Sequence, residues 1–303
     1  MAGGTHDYLD DPRNADILID INGTLYHRDE AKISVFDSGF MLGDGVWEGI
    51  RFHNGHLLFL DEHIRRLYEG AKAIDMDVAL SPAELVARIE AALSANDMTS
   101  DVHIRLMVTR GVKSTPYQHP KVTITPATIV IIPEYKVPSD APLTDGIRLF
   151  TAHVRRGAPD VQDPKLNSHS KLNCILACIQ AEKAGADEAL MLDPHGFVAT
   201  CNSTHFFIVR QGEVWTSSGN YCLPGITRAK VIELCHSEGI PVHEKDFSLA
   251  QVYGAEEAFV TGTFAGLIPA VEIDGRMIGA GGRGTVTKRL QNAYRLMVEN
   301  HCR

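Results

Sequence analysis

Two lysines in the stretch DPKLNSHSKLNCILA, residues 163–177, are of a residue type that can bond covalently to a carbonyl group. Lys165 follows a proline, and Lys171 lies six residues later at the start of a predicted helix, which Ser168 or Ser170 can cap. A lysine in the first helical turn opposes the helix dipole, which lowers its pKa and favours the neutral amine that a Schiff base needs. A solvated surface lysine is the alternative interpretation. The helix is predicted from apolar residues at helical spacing, namely Leu172, Ile175, Leu176 and Ile179.

Two short motifs containing glycine could hold a phosphate group. In LPGITR, residues 223–228, Gly225 permits a turn into a helix whose first amides belong to Ile226 and Thr227. Amides at a helix start bind anions well. The motif TGTFAG, residues 261–266, offers amides and two hydroxyls at the end of a predicted strand. Each motif alone is also consistent with an ordinary turn, so neither identifies a site by itself.

An arginine pair on a predicted amphipathic helix, DEHIRRLYEGAKAI, could supply a cation to such a site. Arg65 and Arg66 are adjacent, so one can face solvent while the other faces inward. An arginine that faces inward needs an anionic partner.

Length and composition exclude several classes of protein. The 303 residues fit two domains. A net charge of −9 and a pI near 5.8 argue against general binding of nucleic acid or of anionic membranes. The start of the sequence is polar and acidic rather than a signal peptide, and no apolar run is long enough to span a bilayer, so we predict a cytoplasmic protein. Cysteines without CxxC spacing and histidines without HxxxH or HExxH spacing predict reduced thiols and no metal site.

The order of predicted elements indicates a mixed α/β protein with two domains. In residues 1–135, the strands DILIDING, GHLLFL, DVHIRLMVTRG and PATIVIIPEY combine with helices, and one helix begins with a capping box of Ser81 and Glu84. The Pro-rich residues 136–146 are predicted to be a linker. Residues 147–303 are predicted to form a β-rich domain, with a meandering sheet and helices packed on it.

Several motifs in sequential order carry a resemblance to a known family. DEHIRRL, a lysine before LN, GADEALMLD, GFVATCNSTHFFIV, LPGITR and TGTFAGLIPAVEIDG together resemble the class IV aminotransferases, the pyridoxal-phosphate enzymes of fold type IV. The resemblance extends over about residues 16–298, and LPGITR in this context is its specific signal. It implies a smaller N-terminal α/β domain, a larger β-rich C-terminal domain, pyridoxal phosphate as cofactor and a homodimer with active sites near the interface.

The resemblance also implies roles for individual residues. Lys171 would form the Schiff base, Arg66 would bind the phosphate, Thr200 would face the ring nitrogen, and Arg105 would meet a substrate carboxylate. The implied cofactor-binding residues are Arg66, Lys171, Thr200, Leu223, Gly225, Ile226, Thr227, Gly262 and Thr263. The implied substrate-binding residues are Trp47, Arg105 and Phe264.

Two positions depart from the family pattern. Thr200 stands where the family usually has a glutamate that keeps the pyridine nitrogen protonated, so we expect a poorer electron sink and slower or altered chemistry. Asn167 falls at the position of the catalytic lysine. If the helix begins near Asn167, Lys171 can reach back from four residues later, because helical side chains lean toward the N-terminus. Lys171 is therefore favoured, with Lys165 or no lysine as alternatives.

Three functions follow from these observations. The first is an aminotransferase acting on an amino acid or amine and a 2-keto acid. The second is a lyase on the same scaffold, and the third is a protein that binds pyridoxal phosphate with little turnover. The substrate is open among branched-chain L-amino acids, D-amino acids and (R)-amines. A loop at residues 109–119 could meet a substrate carboxylate through Arg110, Lys113 and Tyr117, or could carry solvated charges only.

Overall fold

Two β-sheets with helices packed on them organise the computed structural model, which describes residues 4–6 and 8–303. The strands are β1 Tyr8–Leu9, β2 Leu18–Ile21, β3 Thr24–His27, β4 Gly45–His53, β5 His56–Leu57, β6 Val102–Thr109, β7 Thr128–Tyr135, β8 Val137–Pro138, β9 Ile147–Thr151, β10 Glu188–Leu192, β11 Val198–Cys201, β12 His205–Arg210, β13 Glu213–Thr216, β14 Val242–Glu244, β15 Glu257–Gly262, β16 Gly266–Ile273 and β17 Arg276–Met277. The α-helices are α1 Ser38–Leu42, α2 Leu60–Ala73, α3 Pro82–Ala95, α4 Asp140–Asp145, α5 Pro159–Gln162, α6 Leu172–Lys183, α7 Ile226–Ser237, α8 Leu249–Tyr253 and α9 Thr285–His301. Short 3₁₀ helices span Pro12–Asp16 and Pro120–Val122.

The first sheet has six strands in the order β3-β2-β7-β6-β4-β5, and its neighbours pair antiparallel. Helices α2 and α3 cover one face, where Ile50, Leu67, Leu85 and Ile104 are buried in a common core. The capping box predicted at the start of α3 is confirmed: the Ser81 hydroxyl accepts from the amide of the third helical residue, whose carboxylate accepts from the Ser81 amide.

The second sheet has nine strands, eight of them in the order β11-β10-β9-β16-β15-β12-β13-β14, with β17 beside β16. Strand β9 pairs in parallel with β10 and β16, so the prediction of a meander is wrong. The sheet is covered on both faces: along β12, Phe206 packs into one core cluster while Phe207 packs into another. Burial on both faces explains the continuous apolar run FFIV in this strand.

Two further element predictions differ from the structure. The run GHLLFL is a strand only over His56–Leu57, because Leu58 and Phe59 are buried in a core cluster shared with the second sheet, at the turn into α2. The predicted linker, 136–146, contains strand β8 and helix α4; its Pro142 lies in the first helical turn, where proline is tolerated. The mixed α/β class is confirmed, while the domain bounds 1–135 and 147–303 stay predictions. In the part of the chain described, no helix combines the length and apolar character needed to cross a membrane.

Candidate active site

One cavity of about 400 Å³ brings together all the residues that the sequence predicted for the site. It is bounded by side chains from β4, β6 and α2 of the first sheet's layer and by β11, β12, β15 and the start of α7 from the second. The predicted residues that line it are Trp47, Arg66, Arg105, Lys171, Thr200, Leu223, Gly225, Ile226, Thr227, Gly262, Thr263 and Phe264. Their proximity agrees with a shared site, while the individual roles stay predictions.

Strand β4 directs two neighbouring side chains to opposite faces of the first sheet. Trp47 turns to the cavity, whereas Glu48 turns to the core side and is fully buried. On helix α2, His63 and Arg66 are three residues apart and therefore share a face. Both donate to the Glu48 carboxylate: His63 Nδ1 lies 2.7 Å from Oε2, and Arg66 makes two bonds of 2.7 and 2.8 Å. The predicted anionic partner of the inward arginine is thus Glu48, while Arg65 is exposed.

The Glu48 carboxylate fixes the arginine as a permanent cation at the cavity. Burial raises the pKa of Glu48, but the hydrogen bonds from His63 and Arg66 outweigh burial and lower the pKa below its ordinary value. The remaining nitrogen of Arg66 donates to the Pro224 carbonyl oxygen at 2.7 Å. Arg66 is therefore tied to the turn that precedes α7.

The start of helix α7 offers free backbone donors beside Arg66. Gly225 is the N-cap residue, and no side chain caps the helix. The first amides of an uncapped helix are without intrahelical partners and carry the positive end of the dipole. Ile226 and Thr227 are both buried at this point, and the Thr263 turn between β15 and β16 lines the same cavity. The arrangement suits a phosphate group.

Thr200 is buried on β11, and its hydroxyl donates to the Thr204 carbonyl oxygen at 2.7 Å. Because that carbonyl takes the hydroxyl proton, the Thr200 oxygen presents its lone pairs to the cavity. A hydroxyl of this kind carries no charge that would hold a ring nitrogen protonated.

Lys171 points its amine into the cavity, with Nζ 5.6 Å from the centre of the Trp47 ring. Burial lowers the pKa of Lys171 from 10.5 to about 8, and the guanidinium groups of Arg156, Arg66 and Arg105 act in the same direction. The protein therefore supplies an amine that is substantially neutral near physiological pH.

Residues before Lys171 are bound along the edge of β4. Asn167 accepts from the Trp47 amide at 2.9 Å through its carbonyl oxygen, and its side-chain Nδ2 donates to the Trp47 carbonyl at 2.6 Å. Ser168 forms a bridge with Val46, and its carbonyl oxygen accepts from the Trp47 indole. This attachment holds Asn167 at the cavity and brings Lys171 beside it.

The structure corrects the capping prediction for this segment. Helix α6 begins at Leu172 with Lys171 as the N-cap residue, so neither Ser168 nor Ser170 caps it. The premise that the helix begins near Asn167 is therefore wrong, and Lys171 reaches the cavity from the loop bound to β4 instead. Lys165 is exposed and is not among the residues that line the cavity.

The other end of the cavity lies between Arg105 and Phe264. Arg105 stacks on Trp47, with its guanidinium carbon 3.8 Å from the ring centre, and burial lowers its pKa. This contact is possible because the residue opposite Arg105 on β4 is Gly49, which leaves the space open. His103 approaches the Phe264 ring edge-on at 5.7 Å.

Three residues that sequence analysis placed in a pocket loop lie away from this cavity. Arg110 forms an ion pair with Asp44 at 2.7 Å. Lys113 is buried, with its amine 3.4 Å from the His119 carbonyl oxygen, and Tyr117 is half exposed. Within the described chain, none of the three lines the cavity, because each is engaged locally or faces solvent.

Sequence analysis missed several polar residues of the cavity, among them Arg156, Cys174 and His205. Arg156 donates to the Cys174 sulfur at 3.1 Å, and both lie near Lys171. None of them has a local signature, because each reaches the site through the packing of distant segments. The spacing of Cys174 three residues after Lys171 on one helix end is the only signal that sequence offered.

Comparison with known proteins places the chain in a family. The family described as amino-transferase class IV matches residues 45–273. The chain belongs to the class IV aminotransferases. It is 41% identical over 291 residues to branched-chain-amino-acid aminotransferase-like protein 2 of Arabidopsis thaliana, covering 95% of this chain but only 51% of that relative's length. It is 33% identical to a D-alanine aminotransferase of Bacillus licheniformis, covering 90% of this chain and 94% of that protein.

The structure resembles solved class IV enzymes over nearly all its length. A branched-chain amino acid aminotransferase complexed with N-(5'-phosphopyridoxyl)-L-glutamate, from the organism abbreviated T.th., superposes with a TM-score of 0.87 at 32% identity, covering 94% of this chain and 95% of that chain. The branched-chain aminotransferase of the archaeon Thermoproteus uzoniensis, solved with norvaline, has a TM-score of 0.84 at 32% identity over the same shares of the two chains. The resemblance stated from sequence, including fold type IV, is therefore confirmed.

Pyridoxal phosphate, the cofactor of this family, fits the cavity. Arg66 and the uncapped start of α7 would hold its phosphate, Leu223 would contact its ring, and Thr200 would face the ring nitrogen. The Thr261 hydroxyl is buried in the cavity wall without a hydrogen-bond partner in the described chain, as expected of a site that receives a polar ligand.

Proposed function

We propose that this protein is a pyridoxal-phosphate-dependent aminotransferase in which Lys171, rather than a residue at position 167, forms the covalent bond to the cofactor. The observation that carries the proposal is the buried Lys171 amine in the cavity that also holds Arg66 and the start of α7. Asn167 cannot take this role, because a carboxamide nitrogen is not a nucleophile of this kind and already donates to Trp47.

Each residue has a task in the proposed reaction. When bound, pyridoxal phosphate supplies a carbonyl carbon for an amine and a ring that accepts electrons. The Lys171 Nζ bonds that carbon, is displaced by the amine of the donor, and then moves the proton from the donor's α-carbon to the cofactor. Arg66 and the amides of Ile226 and Thr227 anchor the phosphate, so that the reacting carbon stays within reach of Nζ.

Thr200 sets the electronic character that we propose for the ring. Its uncharged hydroxyl stabilises a protonated ring nitrogen less than a carboxylate would. The ring then draws electrons from the donor's α-carbon less strongly, so we propose slower proton removal than in relatives with a glutamate at this position.

For the substrates we propose an amino acid as donor and a 2-keto acid as acceptor. Arg105 and the amides of Thr263 and Phe264 would meet the donor's carboxylate, and Trp47 would form a wall beside it. The names of the relatives, a branched-chain-amino-acid aminotransferase-like protein and a D-alanine aminotransferase, leave both hands of amino acid as candidates.

We propose that the protein acts as a homodimer in the cytoplasm. Two apolar surfaces support association. One is the stripe on α6, where Leu172 is 65% and Ile175 53% exposed; the other is the segment 33–42, where Val35 is 66% and Phe40 69% exposed. Six free cysteines support a reducing compartment. Light scattering with size exclusion tests the dimer, and a monomer at micromolar concentration would contradict it.

The proposed activity is tested by supplying the enzyme with pyridoxal phosphate and an amino donor, then adding 2-keto acids. Amino transfer predicts conversion of the cofactor's absorbance to that of its amine form, followed by recovery when a keto acid is added. Pyruvate released without any keto acid would indicate the lyase alternative. Stable binding without spectral change for any L- or D-donor would indicate a protein with little turnover. A Lys171→Ala variant is the matched control and should give no conversion.

A further inference from the structure

His205, which neither the sequence analysis nor the comparisons assign, lies against the start of helix α7. It is the first residue of β12 and pairs with Thr261 on β15. Its imidazole occupies the space above Gly225: a Cβ atom placed on that glycine would lie 2.2 Å from His205 Nε2. Any other residue at position 225 would displace the ring. The imidazole is therefore in contact with the N-cap of the helix whose amides of Ile226 and Thr227 face the cavity.

The hydrogen-bonding capacity around this ring is unused within the described chain. The His205 ring has no hydrogen-bond partner among the described residues, and it lines the cavity. The hydroxyl of its cross-strand neighbour Thr261 is also unpartnered and 1% exposed. Neighbours in register on adjacent antiparallel strands point to the same face. Two polar side chains on one face thus await a partner at the helix start, and buried polar groups without partners are costly.

The charges around His205 favour an anion as that partner. Burial, together with the guanidinium groups of Arg228, Arg66 and Arg156, lowers the pKa of His205 to about 3. The ring is therefore neutral and carries one N–H donor at physiological pH. Glu48 pairs with Arg66 and Glu244 pairs with Arg228, but Arg156 has no carboxylate partner in the described chain. A phosphate entering this space would meet net positive charge and free donors.

We propose that His205 donates a hydrogen bond from its neutral imidazole to the phosphate of the cofactor, with the Thr261 hydroxyl beside it. This assigns to the phosphate site two side chains beyond Arg66, Thr227 and Thr263. The inference rests on the proposed use of pyridoxal phosphate. It also gives a physical reason for Gly225, since only a glycine leaves room for the imidazole at the helix start.

The test compares two ligands that differ only in the phosphate. Dissociation constants of pyridoxal phosphate and of pyridoxal are measured for the wild type, His205→Phe and His205→Gln. Phenylalanine keeps a ring over Gly225 and removes the donor, whereas glutamine restores a donor. A hydrogen bond to a charged group predicts a loss of about 10-fold or more in pyridoxal phosphate affinity for H205F, with little change for pyridoxal. H205Q should recover part of that loss. The matched control is His56→Phe, an exposed histidine outside the cavity.

Equal weakening of both ligands in H205F, or no weakening of pyridoxal phosphate, would overturn the proposal. A second measurement needs no folded H205F variant: inorganic phosphate added to the wild type should shift the ¹⁵N resonances of the His205 ring, which are assigned by their loss in H205Q. Unshifted resonances at saturating phosphate would also overturn it. A wild type that binds pyridoxal phosphate but transfers no amino group would contradict the proposed activity and leave this inference standing, whereas a wild type that binds none would contradict both.

Discussion

The amine of Lys171 should titrate far below an ordinary lysine, and this shift gives the chain its covalent catalyst. Burial is the largest cause of the lowered pKa, and three guanidinium groups add to it. With a pKa of about 8, about one quarter of the amine is neutral near pH 7.5, against about one part in a thousand at the ordinary value of 10.5. The cavity therefore raises the concentration of reactive amine about 200-fold.

The assay is competitive acetylation of the protein without cofactor, followed by mass spectrometry of the Lys171 peptide across a range of pH. The labelling rate should rise with a midpoint near 8. Because burial rather than surface charge is the main cause, molar salt should leave the midpoint nearly unchanged. Lys165, exposed in the same segment, serves as the internal reference for reagent efficiency.

The sign of the linkage gives an independent check. The folded pKa is lower than the unfolded one, so the unfolded chain binds more protons between about pH 8 and 10.5. The free energy of unfolding contributed by this lysine should rise with pH across that window, and Lys171→Met should remove the rise. A labelling midpoint near 10.5 would refute the reasoning, because the amine would then be solvated.

Three other perturbations have defined outcomes. Thr200→Glu should raise the pKa of the bound cofactor's ring nitrogen, since a carboxylate stabilises its protonated form, and an unchanged spectral titration would contradict that placement of Thr200. Arg66→Ala should lower the free energy of unfolding by about 3 kcal/mol in urea titrations, because Glu48 stays buried with only His63 as partner; a stability equal to the wild type would be contrary to this account. Ser81→Ala should cost about 0.5–2 kcal/mol through loss of the capping box, with Ser81→Thr as the control that keeps a hydroxyl.

Local patterns in the sequence predicted what depends on local physics. The capping box at Ser81 and the inward direction of Arg66 follow from residue types a few positions apart, and the structure has both. Apolar runs were less informative where burial has a distant cause. GHLLFL was predicted as a strand, but Leu58 and Phe59 are buried against the second sheet, which no window of local sequence contains.

The candidate site was predictable where a motif carries it and not where packing assembles it. LPGITR signals the start of α7 from its own residues. The route of Lys171 into the cavity depends on Asn167 and Ser168 bonding to β4, about 120 residues earlier in the chain. His205 reaches Gly225 through the pairing of β12 with β15, so no spacing in the sequence marks it. The apolar stripe of α6 suggested a buried helix face, but Leu172 and Ile175 are exposed in the single chain.

The central claim, that Lys171 bonds the cofactor, is tested most directly by chemical trapping. The protein is saturated with pyridoxal phosphate, reduced with borohydride, digested and analysed by mass spectrometry. The account predicts a pyridoxyl group on Lys171 and none on Lys165. A pyridoxyl group on Lys165, or bound cofactor with neither lysine modified, would contradict it.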